Sequence, residues 1–320
     1  MGTINHLKGE FMRIWNCIKA MGVAAMVVGI LVSCVKDNGD VVDYDVVLAF
    51  NPAVYSPVKT SMGGSYPEGV AFGVTACSLP YGCCWADNKG KGDGFLNNEK
   101  VEFKDGRWLP QSNCNWPHVT RSLTCIAYSP YGAAGQCSLE RGVVFNNVNT
   151  VESQDPLLYT DPVADLHKGL YGGVVSLPFK HALGSISINL KNLVDLSDTI
   201  KVTSVRLVDV KYKGSFCSLP APDWTLEESK TELVFYEGVY ASTQSPTRIG
   251  KEYLVIPQTL ESCFEVDFSY HTSAGTYINQ TLRSRKVGTL IEPGRDYIYT
   301  LSVGIDEVKF MLEVIDSYLQ

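Results

Sequence analysis

Apolar and polar residues alternate along most of the chain after residue 40, and this period-two pattern most constrains its fold. The clearest runs cover residues 186–190, 264–270 and 297–303, where apolar side chains share one face and polar side chains the other. Such strands bury one face and expose the other to water. Turn motifs at 66–69 (YPEG) and 292–294 (EPG) separate the runs, and no long stretch shows the 3.6-residue helical period. The pattern predicts an all-β fold of short strands packed as β-sandwiches.

The composition is typical of a packed globular protein with an acidic surface. The chain has 320 residues, of which 45% are hydrophobic and 19% are charged, so disorder is not expected. Its formal net charge is −7 and it lacks basic runs, which argues against nucleic acid as a partner. A less regular stretch at 154–173 separates the earlier strands from the later ones. This stretch predicts two tandem domains, at 34–176 and 177–320.

The first 33 residues have the order of an export signal. Basic residues come first, at Lys8, Arg13 and Lys19, and an apolar run follows at 20–33. This run is shorter than the roughly 20 residues that a membrane-spanning helix needs. We therefore predict a signal peptide at 1–33. Its removal takes away a net charge of +2 and leaves a mature chain with a net charge of −9.

The apolar run ends in LVSC at 31–34, which resembles a bacterial lipobox. The motif predicts cleavage between Ser33 and Cys34 and attachment of lipid, including palmitate, at Cys34. Several acyl chains hold a protein firmly to a membrane, at about 0.8 kcal/mol per buried methylene. Lys36 and the acidic residues after it are similar to a surface-export signal, which predicts an anchor in the outer membrane with the protein facing outwards. The alternatives are an ordinary signal peptide with an incidental cysteine, and a later start at Met12.

The titratable residues form no known catalytic or metal-binding motif. Eight cysteines remain once Cys17 in the leader and Cys34 at the anchor are set aside, and eight cysteines allow 105 full pairings. The cluster of Cys77, Cys83 and Cys84 lacks Cys-x-x-Cys or matching His spacing, so buried thiols are favoured over a metal site. The sequence therefore predicts a protein that is not an enzyme, with no catalytic residues, no cofactor and no metal.

Seven short phrases stand in a fixed order along nearly all of the mature chain. They are YPEGVAFGV at 66–74, NWP at 115–117, CIAYSPY at 125–131, DPLLY at 155–159, LPFKHAL at 177–183, LVIPQ at 254–258 and EPGRDYIY at 292–299. Together with the lipobox, this order resembles the fimbrillin-like (Mfa-like) family of Bacteroidales. The resemblance implies two tandem transthyretin-like (Greek-key) β-sandwich domains. It also implies a stalk, tip or anchor subunit of a type V pilus, or a related surface lipoprotein.

The resemblance further implies assembly by strand exchange, in which a protease removes the first strand and another subunit fills the groove. Main-chain hydrogen bonds then give affinity, and alternate side chains give register. Here the first strand is built on Val42, Tyr44, Val46, Leu48 and Phe50, whose burial amounts to roughly 10 kcal/mol. Its loss would leave an unstable groove that drives polymerisation. The alternative is an ordinary strand of a monomeric sandwich.

Processing of that strand needs a cleavage site. Stalk subunits of the family are often processed after an arginine, but the first arginine of the mature chain is Arg107. Lys59 is the basic residue just downstream of the strand, which makes it the candidate processing site. The expected partners are other fimbrial subunits through strand exchange, the outer membrane through the lipid anchor, and a host or bacterial surface ligand. The alternative function is a surface lipoprotein that binds glycan or host protein without polymerising.

Overall fold

Short strands make up most of the protein. A computed structural model describes residues 45–55, 62–193, 200–271 and 277–316, all of which belong to one compact unit, Asp43–Gln320. The described residues are mostly strand, and the strands form several separate sheets. The predicted all-β fold is therefore confirmed. The division into domains at 34–176 and 177–320 stays a prediction.

Helical structure is minor in the part of the chain that the structure describes. It is limited to a three-residue 3-10 turn, Trp85–Asp87, and one four-residue helix, α1 (Lys168–Tyr171). None of the described helices has the length and apolar character needed to cross a bilayer. Strands and their turns therefore carry the packing of this body.

The early strands lie between residues 49 and 181. They are β1 (Ala49–Tyr55), β2 (Met62–Ser65), β3 (Phe72–Pro80), β4 (Asp93–Lys104), β5 (Arg107–Pro110), β6 (Arg121–Ser129), β7 (Gln136–Ser138), β8 (Gly142–Asn149), β9 (Leu158–Tyr159), β10 (Val163–Leu166) and β11 (Val174–His181). Nine of these strands belong to one sheet, and β7 and β8 belong to another.

The later strands lie between residues 184 and 316. They are β12 (Gly184–Asn192), β13 (Lys201–Lys211), β14 (Lys213–Cys217), β15 (Asp223–Leu226), β16 (Lys230–Ala241), β17 (Thr247–Val255), β18 (Cys263–His271), β19 (Tyr277–Lys286), β20 (Arg295–Val303) and β21 (Val308–Asp316). The three runs of alternation singled out in the sequence fall inside β12, β18 and β20.

The nine-stranded sheet of the early part closes on itself. Its order is β10-β6-β3-β4-β5-β1-β11-β9, and β2 pairs with β1. The two-residue strand β9 pairs with both β11 and β6, so β6, β3, β4, β5, β1, β11 and β9 form a ring. A fully buried cluster belongs to this ring and includes Leu48, Phe72, Val101, Leu123 and Phe179. The ring thus has a core of its own.

The later part is a sandwich of two four-stranded sheets. Their orders are β17-β12-β20-β21 and β16-β13-β18-β19. Both sheets contribute to one buried cluster, in which Ile188 and Tyr299 come from the first sheet and Val205 and Phe264 from the second. Because side chains alternate along a strand, the polar residues between these core positions lie on the outer faces.

A third sheet joins early and late parts of the chain. Its order is β15-β14-β8-β7, so β8 of the early part pairs with β14 of the late part, for example Phe145 opposite Phe216. The rings of these two residues stack with centroids 5.7 Å apart. They belong to a buried cluster that also contains Tyr128 and Ile256. Backbone pairing and a shared core therefore bind these parts together.

Charged side chains form a cross-strand network on the outer face of the sheet β16-β13-β18-β19. Arg206 Nε lies 2.8 Å from Glu265 Oε2 and Arg206 NH1 lies 2.6 Å from Asp267 Oδ2, while Arg283 also pairs with Glu265. Burial raises the pKa of Glu265, but hydrogen bonds from Arg283 and Arg206 outweigh burial, and the pKa lies below its ordinary 4.5. Likewise, hydrogen bonds from Thr281 and Arg206 outweigh burial and lower the pKa of Asp267.

We expect this network to make stability fall in acid. A lowered carboxylate pKa means that the folded state binds protons less tightly than the unfolded state. The stabilisation is therefore complete above the unfolded pKa, near 4.5 for Glu265, and is lost as the pH falls through the lower folded value. In Arg206→Ala, the free energy of unfolding at neutral pH should drop by about 1–3 kcal/mol, and the decline in acid should be shallower. Urea unfolding at neutral and acidic pH measures both effects.

Lys309→Ala is the matched control for this prediction. Lys309 pairs with Glu307 at the surface, with side chains 61% and 45% exposed, and exposed pairs contribute only about 0–1 kcal/mol. We expect little change in the free energy of unfolding at neutral pH, and the same fall in that free energy at acidic pH as in the unmodified protein. Equal losses in the two variants would contradict a special role for the Arg206 network.

Candidate strand-exchange site

The strand predicted to be exchangeable is an interior strand of the ring. β1 runs parallel to β11, from Ala49 opposite Val174 to Val54 opposite Phe179. On its other edge it is antiparallel to β5, with Phe50 opposite Trp108. Both edges of the strand therefore have partners.

Pairing extends to the residues just before β1. The Leu48 amide donates to the Cys114 carbonyl at 3.0 Å, and the Trp116 amide donates to the Val46 carbonyl at 2.8 Å. Residues 46–48 thus continue the strand along the segment that follows β5. The described part of the predicted strand, residues 46–50, lies within the backbone network of the ring.

The alternation predicted for this strand is present in part of its described residues. Leu48 is fully buried, Phe50 is buried, and Val46 is half-buried against the same core. Val47 lies between Val46 and Leu48 in sequence and is 38% exposed. The face with Leu48 and Phe50 fills the ring core, while the opposite face is exposed at Val47 and covered at Ala49, which is 2% exposed.

Phe50 enters an aromatic cluster inside the ring. Its ring centroid lies 6.1 Å from that of Phe72 in an edge-to-face arrangement. Phe72 in turn lies 5.4 Å from Trp108 and 5.5 Å from Phe179. Tyr66 stacks on Phe179, and burial raises the Tyr66 pKa to about 12 despite its hydrogen bond to a serine hydroxyl. Phe50 thus packs on an apolar cluster in which Phe72, Trp108 and Phe179 come from β3, β5 and β11.

A glycine that the sequence analysis missed sets the approach of this strand to β11. Gly173 has φ +87°, and a Cβ added there would lie 2.4 Å from Val46 Cγ1 and 3.1 Å from the Val47 carbonyl oxygen. The Ala49 amide donates to the Gly173 carbonyl at 2.9 Å. Only glycine fits so near the strand with this backbone. The Gly-Gly pair at 172–173 is the sequence signal that could have indicated it.

The other predicted site residues are not placed by the structure. Ser33, Cys34, Val42, Tyr44 and Lys59 lie outside the described residues. Lys59 falls in the sequence between β1 and β2, which end and begin at residues 55 and 62. The lipidation site and the processing site therefore stay predictions.

The cysteines of the described chain are free thiols. Burial raises the pKa of Cys125 to about 12 and that of Cys77 to about 11. Such thiols stay protonated, which makes them poor nucleophiles and poor metal ligands. The described residues also contain no group of three or more His, Cys, Asp or Glu side chains that could hold a metal ion.

A family model described as fimbrillin-like matches residues 82–316. The chain belongs to the fimbrillin-like family. The match runs from the end of β3 through β21, so β1 lies upstream of it. Among curated proteins, none matches this fimbrillin-like chain.

Solved structures share the fold of this fimbrillin-like protein. A fimbrial protein from Bacteroides vulgatus matches with TM-score 0.61 and 16% identity, over 85% of this chain and 99% of that one. A protein from Bacteroides uniformis, named for cell adhesion, matches with TM-score 0.52 and 17% identity, over 85% and 98%. A second protein named for cell adhesion, from Bacteroides ovatus, matches with TM-score 0.53 and 13% identity, over 87% of this chain and 99% of that one. At these identities the likeness concerns the fold.

Proposed function

We propose that this fimbrillin-like protein is a fimbrial subunit, lipid-anchored in the outer membrane through Cys34, that joins its neighbours by exchanging its first strand. The family match and the shared fold with a fimbrial protein and two proteins named for cell adhesion support a fimbrial or adhesive role. The same strand exchange would connect a stalk, tip or anchor subunit of a type V pilus to its neighbours. Adhesion at the cell surface is the outcome of this assembly.

The interior position of β1 carries the proposal. Loss of β1 would leave unpaired backbone groups along β11 on one side, and along β2 and at Trp108 of β5 on the other. Two facing edges separated by one missing strand lie about 10 Å apart, twice the normal strand spacing. Such a gap accepts one extended segment, which would restore hydrogen bonds on both sides.

The ring topology would hold the groove together after β1 has left. β9 links β11 to β6, so the remaining strands β5-β4-β3-β6-β9-β11 stay one continuous sheet. The groove therefore keeps its β5 and β11 walls, while β2, which pairs with β1, would lose that partner. An ordinary open sheet would instead split in two when an interior strand is removed.

The floor of the groove supplies the driving force. Leu48 and Phe50 pack among buried apolar residues of the ring core. Loss of the burial of one such side chain costs about 1.5–3 kcal/mol. Apolar side chains of an incoming segment at alternate positions would recover this energy and fix the register.

Cutting the chain between β1 and β2 tests the proposal. A protease site is inserted in the 56–61 segment, which contains Lys59, and the purified mature protein is cut in solution. We expect a ladder of oligomers on a native gel, because strand release opens a groove in every copy. A synthetic peptide of residues 43–55, added in excess, should suppress the ladder by refilling the groove.

The uncut insertion variant is the control and should stay monomeric. Cut protein that releases its strand, remains monomeric and keeps its thermal unfolding midpoint would contradict the proposal. A ladder that the peptide does not suppress would contradict the assignment of β1 as the exchanged strand.

A further inference from the structure

A cleft of about 750 Å³ lies beside the sheet that joins the early and late parts of the chain. We infer that this cleft binds a short saccharide. One wall comes from the 3-10 turn Trp85–Asp87 and the loop after it, and the other from the turn before β8 and the segment after β14. The volume falls in the range of about 300–1,000 Å³ that is typical of small-molecule sites. This inference rests on the adhesive role proposed above and names the ligand.

The first wall is fixed by a part-buried contact from a strand distant in sequence. The Trp85 amide donates to Asp165 Oδ1 at 2.8 Å, and the Cys84 thiol contacts the same carboxylate. The Asn88 side chain donates to the Cys84 carbonyl at 2.9 Å. Trp85, itself buried, is thereby held as an apolar side of the cleft.

The second wall is fixed by a close approach of two backbones. Gly142 has φ +81°, and a Cβ added there would lie 2.5 Å from Ser218 Oγ. The Val143 amide donates to the same hydroxyl at 2.8 Å, and the Cys217 thiol contacts the Leu219 carbonyl at 3.0 Å. A cleft with two fixed walls loses little entropy when a ligand binds.

The lining of the cleft combines an apolar side with polar ends. Trp85 and Leu139 supply apolar surface, while Lys89, Glu140 and Arg141 are exposed charged residues of the lining. The side chain of Gln136 also lines the cleft. Ammonium, guanidinium, carboxylate and amide groups together offer both donors and acceptors. A sugar presents an apolar C–H face and a rim of hydroxyl groups, which matches this combination.

The backbone around the cleft favours a saccharide over a peptide strand. A peptide would add to the outer edge of β7, but the Thr75 hydroxyl already donates to the Cys137 carbonyl there, at 2.9 Å. The Thr75 hydroxyl also accepts from the Asn98 amide at 3.1 Å, which holds it in place. A peptide added along β7 would lose this carbonyl as an acceptor, so recognition at this edge comes from side chains.

An array of short cell-surface saccharides, probed with the intact mature protein, tests the inference. Calorimetry then measures the affinity for the saccharide that binds best. We expect binding by the intact protein, and loss of about tenfold or more in affinity for Lys89→Ala/Arg141→Ala, because charged hydrogen-bond donors are removed. Glu140→Gln should weaken binding less, because glutamine keeps one acceptor oxygen and has the same side-chain shape as glutamate.

The control variant is Arg107→Ala/Lys251→Ala, which removes the same two charge types at exposed positions outside the cleft. It should bind as the unmodified protein does. An array without any binding, or equal affinities in the two double variants, would overturn the inference. The readout uses uncut monomer, so its failure would leave the strand-release test untouched, and failure of strand release would leave saccharide binding measurable.

Discussion

Replacing Phe50 with alanine should lower the free energy of unfolding by about 3–5 kcal/mol. Phe50 is 3% exposed and packs edge-to-face on Phe72 inside the ring. The substitution removes the transfer energy of the ring and leaves a cavity beside Phe72, whose own ring is held in place by Trp108 and Phe179. Equilibrium urea unfolding of the intact mature protein measures the change, which should appear as a shifted midpoint with an unchanged slope.

Val47→Ala is the matched control, since Val47 lies three residues away and is 38% exposed. Its free energy of unfolding should change by only about 0.5 kcal/mol. Similar losses in both variants would show that the strand does not face the ring core as described. Neither variant alters the backbone pairing of β1. The comparison therefore measures only the contribution of side-chain packing.

Replacing Gly250 with alanine should cost about 2–5 kcal/mol. Gly250 lies in β17 with φ +63°, where a side chain alone costs about 1–2 kcal/mol. An added Cβ would also lie 1.9 Å from the Phe235 carbonyl oxygen, a backbone atom that cannot move without disturbing β16. Overpacking of this kind adds about 1–3 kcal/mol. Thermal and urea unfolding both report the loss.

Gly288→Ala separates the two causes. Gly288 has a nearly identical φ of +66°, but an added Cβ there meets no atom within 4 Å. Its substitution should cost only the conformational part, about 1–2 kcal/mol. A loss at Gly288 as large as that at Gly250 would contradict the steric explanation.

Local alternation predicted the strands well because it depends on which face of one strand is buried. Runs at 264–270 and 297–303 coincide with β18 and β20, and Leu48 and Phe50 are buried as their spacing predicted. Alternation carries no information about which strand lies beside which. The interior position of β1, and its pairing with β11, therefore could not be predicted from the sequence.

Three features of the sites depended on residues far apart in sequence. Gly173 needs its positive φ because Val46 approaches it, and Arg206 meets Glu265 only because β13 and β18 pair. The cleft beside β8 exists only because β14 crosses from the late part of the chain. None of these contacts has a local sequence signature, since each is created by the sheet order.

The parallel pair of β1 and β11 also has a consequence for biogenesis. In a chain that is synthesised from its amino terminus, Ala49 emerges long before its partner Val174. Until then, the segment has one of its two neighbours at most, and contacts between distant residues form slowly. Closure of the ring around β1 is therefore a late step in folding, which follows the emergence of Val174.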